Sequence, residues 1–300
     1  MVAAVAISLQ ISPDFPTAIS LSFADPINAV VDWIKTNLFS VTESIKTVFT
    51  VVLLNPLQTL LTEAPVWLVV GVTFGLALLL SGVRPAIVAS ACLVLIALTG
   101  LWEDSMVTLT SVLVATLATL ALGIVFGIFA ARSDRVSTFL RPLLDFAQTM
   151  PSFVYLLPAV ALFQPSRFTA IVAALIYAVP PVIRLVEAGL RSVPTTIVEA
   201  ATASGATERQ LITKVRLPVS APALLLAANQ GIVMVLAMVV VGALVGAGGL
   251  GYDVIAGAAQ SEDFGLGMAA AACIVLLGIM LDRITQGAGT RRPRLRMAAG

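Results

Sequence analysis

The chain has 300 residues, 59% of them hydrophobic and only 11% charged. Soluble domains run at roughly 45–50% and about 25%, so lipid must cover part of this surface. A net charge of +1 argues against a nucleic-acid partner, and the lack of any histidine removes imidazole metal ligands and His-dependent catalytic triads.

The first residues, MVAAVAISLQISPDFP, lack a basic start and are interrupted by Pro13, Asp14 and Pro16, so they do not read as a signal peptide. Over Ala29–Leu61 apolar residues recur at helical spacing (Val30, Ile34, Leu38, Val41, Ile45, Val48), with Asp32, Lys35, Glu43 and Lys46 between them. That pattern predicts an amphipathic helix lying along the membrane surface, broken late by Asn55–Pro56. The other reading is an eighth span over Ile45–Leu61. Residues 1–64 are thus expected to form an extracytoplasmic segment.

A bilayer-spanning helix needs about 20 mostly apolar residues. Seven runs qualify: Val66–Ser81, Pro85–Leu101, Met106–Ala131, Pro151–Gln164, Phe168–Ile183, Ala221–Val245 and Leu266–Leu281. The fourth is short and flanked by prolines. Each must be helical, because backbone groups in lipid are satisfied only within the segment, and none shows the two-residue alternation of a β-barrel. Cys92 and Cys273 each lie in an apolar run and read as buried packing residues.

Placing residues 185–217 in the cytoplasm puts 14 of the 17 Lys and Arg on the inside, leaving Lys35, Lys46 and Arg167. The opposite loops carry Glu63, Glu103, Asp104, Asp253, Glu262 and Asp263. This is the asymmetry of the positive-inside rule. It predicts a multi-pass protein of the cytoplasmic (inner) membrane with a basic inside tail at 288–300.

The stretch SVPTTIVEAATASGATERQLITKVRLP, Ser192 to Pro218, is long for a loop between spans. Pro194 and Thr195 can open a short helix, and Gly205 can end it in the left-handed conformation. Thr207 then caps a second helix, Glu208–Val215, which Leu217–Pro218 stops. A cytoplasmic helical hairpin between two spans is suited to docking.

Its residues Glu199, Ala200, Ala201, Gly205, Val215, Leu217 and Pro218 resemble the EAA signature of ABC importer permeases. Arg141–Pro158, Val179–Leu185, Asn229–Gly251 and Leu281–Gln286 are similar to the permeases of the glycine betaine/proline type. The likeness spans about residues 106–289. It departs from the family after Leu162–Phe163, where Gln164-Pro165-Ser166-Arg167 replaces a Gly-containing turn. The resemblance implies an all-α polytopic bundle of the type I ABC importer (MetI-like) permease fold, with two additional helices at 65–105 before a core at 106–287. It further implies that the hairpin couples to a separate ABC ATPase subunit, that a second permease copy completes the pathway, and that an extracytoplasmic substrate-binding protein delivers a quaternary ammonium or zwitterionic osmolyte. No GxxxxGK[ST] loop occurs in the chain, so ATP and Mg are expected on the partner and no cofactor on this chain.

Several small and polar residues carry two readings each. Gly71–Gly75 and Gly123–Gly127 read as plain GxxxG packing. Gly242–Gly246 runs on into Gly248 and Gly249, either as packing or as a gate hinge. Asn229 and Gln230 either bond a neighbouring helix or line a pathway, and Met234 and Met238 follow on the same face, as packing or as a soft lining. With only three Tyr and three Trp, an aromatic cage for a cation is expected on another protein. The rival readings are a self-contained secondary transporter and a membrane-embedded enzyme. No internal repeat, no ionisable residue deep in a span and no histidine support them.

Overall fold

The computed structural model describes residues 24–259 and 263–297. The signal-peptide reading, the acidic Glu262 and the last three residues of the tail lie outside the described residues, as do the side chains of the tail's arginines. Among the described residues all regular structure is helical, as the apolar runs require.

Thirteen helical segments follow in order. α1 is Ala24–Asn37 and α2 is Phe39–Glu63. α3 is Val66–Ser81, α4 is Val83–Leu98 and α5 is Trp102–Arg132. α6 is Asp134–Thr149, α7 is Ser152–Phe163 and α8 is Arg167–Arg191. α9 is Thr195–Ala203, α10 covers residues 208–219 and α11 is Ala221–Val245. α12 is Leu250–Ala259 and α13 is Phe264–Met297.

Five of these, α2, α5, α8, α11 and α13, are long and apolar enough to cross a bilayer. α3 and α4 are apolar but only 16 residues each, about 24 Å at 1.5 Å per residue. The expected span at Pro151–Gln164 is corrected: α7 has 12 residues, too few to cross alone, and it bends 111° from α6. Together α6 and α7 make one broken segment. The break falls where Met150 and Pro151 take extended backbone, as expected of the residue before a proline.

Two prolines expected to stop helices do not. Pro56 lies inside α2 and Pro218 inside α10, and each follows a π-helical stretch, Thr50–Leu54 and Leu211–Arg216. A proline lacks the N–H and its ring collides with the carbonyl four residues back. The wider π-turn relieves both demands. Ser220, not Pro218, ends α10.

Helix α8 is the centre. It packs between α5 and α11, and 61% of its most apolar window is buried. Gly123 and Gly127 of α5 lie against Val182 and Val186 of α8, so closely that an added Cβ would sit 2.3 and 2.6 Å from them. Gly189 of α8 meets Ala223 of α11 in the same way, at 2.6 Å. A second layer joins α3, α4 and α13 through Ala89, Leu93, Ile96, Ala270, Cys273 and Leu277. Both cysteines are buried and free. Gly71 and Gly75 differ from the packing reading: nothing lies within 4 Å of their Cβ positions, and Gly71 borders an open groove that α3 shares with Ser90 and Val94 of α4.

The middle of α2 does not run along α8. Phe49 stacks edge-on to Phe168 at 5.0 Å, and Arg167 donates to Asn55 at 3.2 Å. Both contacts fall on the first two residues of α8, at the end of the bundle opposite the hairpin.

Candidate functional site: the hairpin and its anchorage

The hairpin between α8 and α11 is built from local signals. In α9 the backbone ends on Gly205 at φ +80°, with Gly205 N–H donating to Thr202 O at 2.9 Å and Ala206 N–H to Ala201 O at 3.0 Å. That pair of bonds is a Schellman cap, which glycine adopts without steric cost. Thr207 and Gln210 then form a reciprocal capping box at the start of α10. The tip is not covered by the rest of the chain. Glu199, Ala200 and Gly205 are exposed and Ile197 is 42% exposed. The base is covered: Val193, Leu211 and Ile212 are buried, and Leu217 packs on Val182, Val186, Leu190 and Ala227 of the central helices. Val215 and Pro218 are half-buried beside it. The seven signature residues therefore divide into an exposed tip (Glu199, Ala200, Gly205), the half-buried Ala201, and an anchored stem.

Directly above the stem is a polar cluster that the sequence reading did not find. Helix α8 continues through Pro180–Pro181 to Arg191, eight residues beyond the expected end of the span. Glu187 in this extension is buried, 8% exposed. Its Oε1 accepts from Ser137 Oγ at 2.7 Å and from Arg191 Nε at 2.9 Å. Arg191 also donates to Asp134 Oδ1 at 2.7 Å and to the Ala130 carbonyl at 2.8 Å. Arg184 pairs with Asp145 nearby. The spacing of Arg184, Glu187 and Arg191 along one helix face would have revealed the cluster, had α8 been carried past Ile183.

At the other end of α11 the glycine run makes a turn. Gly246, Gly248 and Gly249 have φ of +80°, +70° and +66°. A Cβ on Gly249 would lie 2.5 Å from Thr108 Oγ1 and 3.0 Å from Asp104 O, on α5. Thr108 Oγ1 accepts from Leu250 N–H at 3.0 Å. α12 follows, and its Asp253 carboxyl is held above its ordinary range by burial first and by Asp104 second.

The residues tentatively given to a pathway separate here. Met238 is fully buried among Val112, Ala174 and Val235 and lines no open space in this conformation; Met234 packs at the edge of the same cluster. Thioethers fill the core because they are apolar and adaptable. Gln230 is half-buried. Asn229 buries its Oδ1 without a hydrogen-bond partner among the described residues, and so do the Thr116 and Thr119 hydroxyls of α5. Unpaired polar atoms in a membrane bundle are costly, so this is the part of α11 that wants water, a second chain or solute. Among the described residues no group of His, Cys, Asp and Glu could hold a metal.

Residues 123–292, more than half the chain and including the hairpin, match the family of binding-protein-dependent transport system inner membrane components. The chain belongs to that family. The permease is 38% identical over 259 residues to the glycine betaine/proline betaine transport system permease protein ProW of Escherichia coli, covering 86% of this chain and 73% of that one. It is 43% identical over 185 residues to the glycine betaine/carnitine transport permease protein GbuB of Listeria monocytogenes (62% and 65% covered). It is 36% identical over 248 residues to the trimethylamine N-oxide transport system permease protein TmoV of Ruegeria pomeroyi, covering 82% of this chain and 37% of that one. In fold it resembles the MetNI methionine ABC transporter in an inward-facing form, with TM-score 0.56 and 24% identity, covering 63% of this chain and 92% of the other. The permease is thus an all-α, multi-pass inner-membrane protein of the ABC importer class, as expected.

Proposed function

We propose that this permease carries glycine betaine, or a related quaternary ammonium or zwitterionic osmolyte, inward under the power of a separate ABC ATPase seated on the hairpin. The observation that carries the reading is the hairpin itself: an exposed, well-capped tip on a stem packed into the three central helices. A load on the tip would reach α5, α8 and α11 without crossing a flexible joint. The chain has no phosphate-binding loop, so ATP and Mg belong to the partner. The substrate class follows the names of the relatives, and the scarcity of Tyr and Trp suits delivery by an extracytoplasmic substrate-binding protein that holds the tight site. The hairpin end then faces the cytoplasm, in keeping with the basic residues there. The second half of α2 packs along the outer half of α5, with Leu54 and Leu57 in the cluster of Val112 and Ala115, and its middle meets the start of α8. Two copies enclose the path, with Asn229 and Gln230, both only half-buried on α11, as its polar residues.

The test is uptake of labelled glycine betaine into liposomes holding the permease, its ATPase and the receptor. Glu199→Arg and Gly205→Glu are expected to insert normally yet abolish ATP-driven uptake. Uptake at normal rates in both variants, or uptake that persists with a hydrolysis-dead ATPase, overturns the reading.

A further inference from the structure

We propose that Arg191 is the joint through which movement of the hairpin is passed to α5 and α6, making it a positioning residue for coupled transport. The inference rests on the hairpin being the ATPase seat. One guanidinium donates to three helices at once: to Glu187 Oε1 on α8, to Asp134 Oδ1 at the first residue of α6, and to the Ala130 carbonyl in the last turn of α5. The guanidinium is a rigid planar fork, so these three acceptors hold fixed directions relative to one another. Ala130 O is among the carbonyls left without a partner at the end of a helix, and a cation there also offsets the helix dipole.

The place of the joint matters as much as its bonds. Arg191 is the last residue of α8, and only Ser192, Val193 and Pro194 separate it from Thr195, where α9 begins. Those three have little slack. Ser192 N–H donates to Ala188 O at 2.9 Å, its Oγ donates to Gly189 O at 2.8 Å, and Val193 is buried. A displacement of the hairpin is therefore not absorbed before it reaches the guanidinium.

The three bonds are also unequal. The Glu187 side chain is 11% exposed and Asp134 90% exposed. A buried carboxylate keeps its partner because losing it leaves an uncompensated charge, whereas an exposed pair is readily exchanged for water. Ser137 adds a second tie from α6 to the same Glu187 oxygen. The cluster thus has a permanent bond within α8 and two ties to α6, the exposed Asp134 pair that can break and the buried Ser137 bond about which α6 can swing.

Arg191→Lys keeps the charge and loses the fork. In the reconstituted complex, solute taken up per ATP hydrolysed is expected to fall about ten-fold, a typical coupling factor between sites, while hydrolysis continues and the ATPase still co-purifies. Uptake and hydrolysis falling in proportion, with the ratio unchanged, overturns the proposal. Should Arg191→Lys fail to accumulate, Asp134→Asn and Ser137→Ala each remove one tie to α6 and are expected to lower the ratio by a smaller factor; an unchanged ratio in both overturns it. Absence of ATP-driven uptake in the unaltered complex refutes the importer reading and the joint with it, and is distinguished by the Glu199→Arg control.

Discussion

The two ends of the central bundle are held by different means. At the hairpin end, α5, α6 and α8 meet through long polar side chains, with Arg191 and Glu187 at the centre. At the opposite end, α5 and the turn after α11 meet through a glycine: Gly249 lies against the Thr108 hydroxyl and the Asp104 carbonyl, and the same hydroxyl accepts from Leu250 N–H. Hydrogen bonds between flexible side chains can be remade after a shift of an ångström or two. A glycine contact with no room for a methyl group cannot shift at all without losing its packing. The hairpin end has close glycine contacts as well, Gly127 on Val186 and Gly189 on Ala223, so what sets it apart is α6, which is tied to α8 by side-chain bonds that can be remade.

The comparison is broken most severely at Gly249. Gly249→Val adds both a left-handed backbone strain and a collision with Thr108, and is expected to destabilise by about 3 kcal/mol or more. Loss of a sharp melting transition in detergent would record it; unaltered melting would mean the turn is not a close-packed hold. A smaller effect contrasts two GxxxG pairs. Gly123→Ala places a methyl 2.3 Å from Val182 and is expected to cost about 2 kcal/mol by overpacking. Gly71→Ala meets nothing within 4 Å and is expected to be neutral or to gain up to about 1 kcal/mol from helix propensity. Equal melting shifts in the two variants would remove the distinction between a packing and an unpartnered face.

The smallest effect is a pH dependence on α12, which has only ten residues and lies outside the long apolar helices. Burial, then the neighbouring Asp104, raises the folded-state value of Asp253 above its ordinary 3.8. The folded protein therefore holds this proton more tightly than the unfolded chain. Stability is lost as pH climbs from 3.8 through the raised value, and the cost is complete above it. Asp253→Asn removes the cost. The variant is expected to melt above the parent at pH 7, with a smaller difference at pH 4. A difference that grows on acidification would contradict the sign.

Much of the fold was legible because it is decided locally. Val66–Ser81 forms over the expected residues, the Gly205 cap and the Thr207 box sit where their sequence signals place them, and the hairpin signature was readable from a fixed spacing. The misses share a cause. Pro56 and Pro218 were read as stops, but each is accommodated by a π-turn just before it. The end of α8 was set at Ile183 because hydropathy falls there, although the helix continues and its charges find partners on α5 and α6. Met238 carried two readings, packing or a soft lining, and tertiary packing buries it.

By itself, then, the sequence determined that the chain is a helical membrane protein with an exposed helical hairpin between two long apolar helices, because hydropathy, caps and glycine turns act over a few residues and need no distant partner. Only the tertiary structure decided which glycines are crowded, that α6 and α7 form one bent unit, and that Arg191 ties three helices together. The crowding of Gly123, Gly127 and Gly189 and the ties of Arg191 to α5 and α6 join groups far apart in the chain, as Ser137 and Glu187 are, and their meeting is set by how the helices pack rather than by any spacing along the chain.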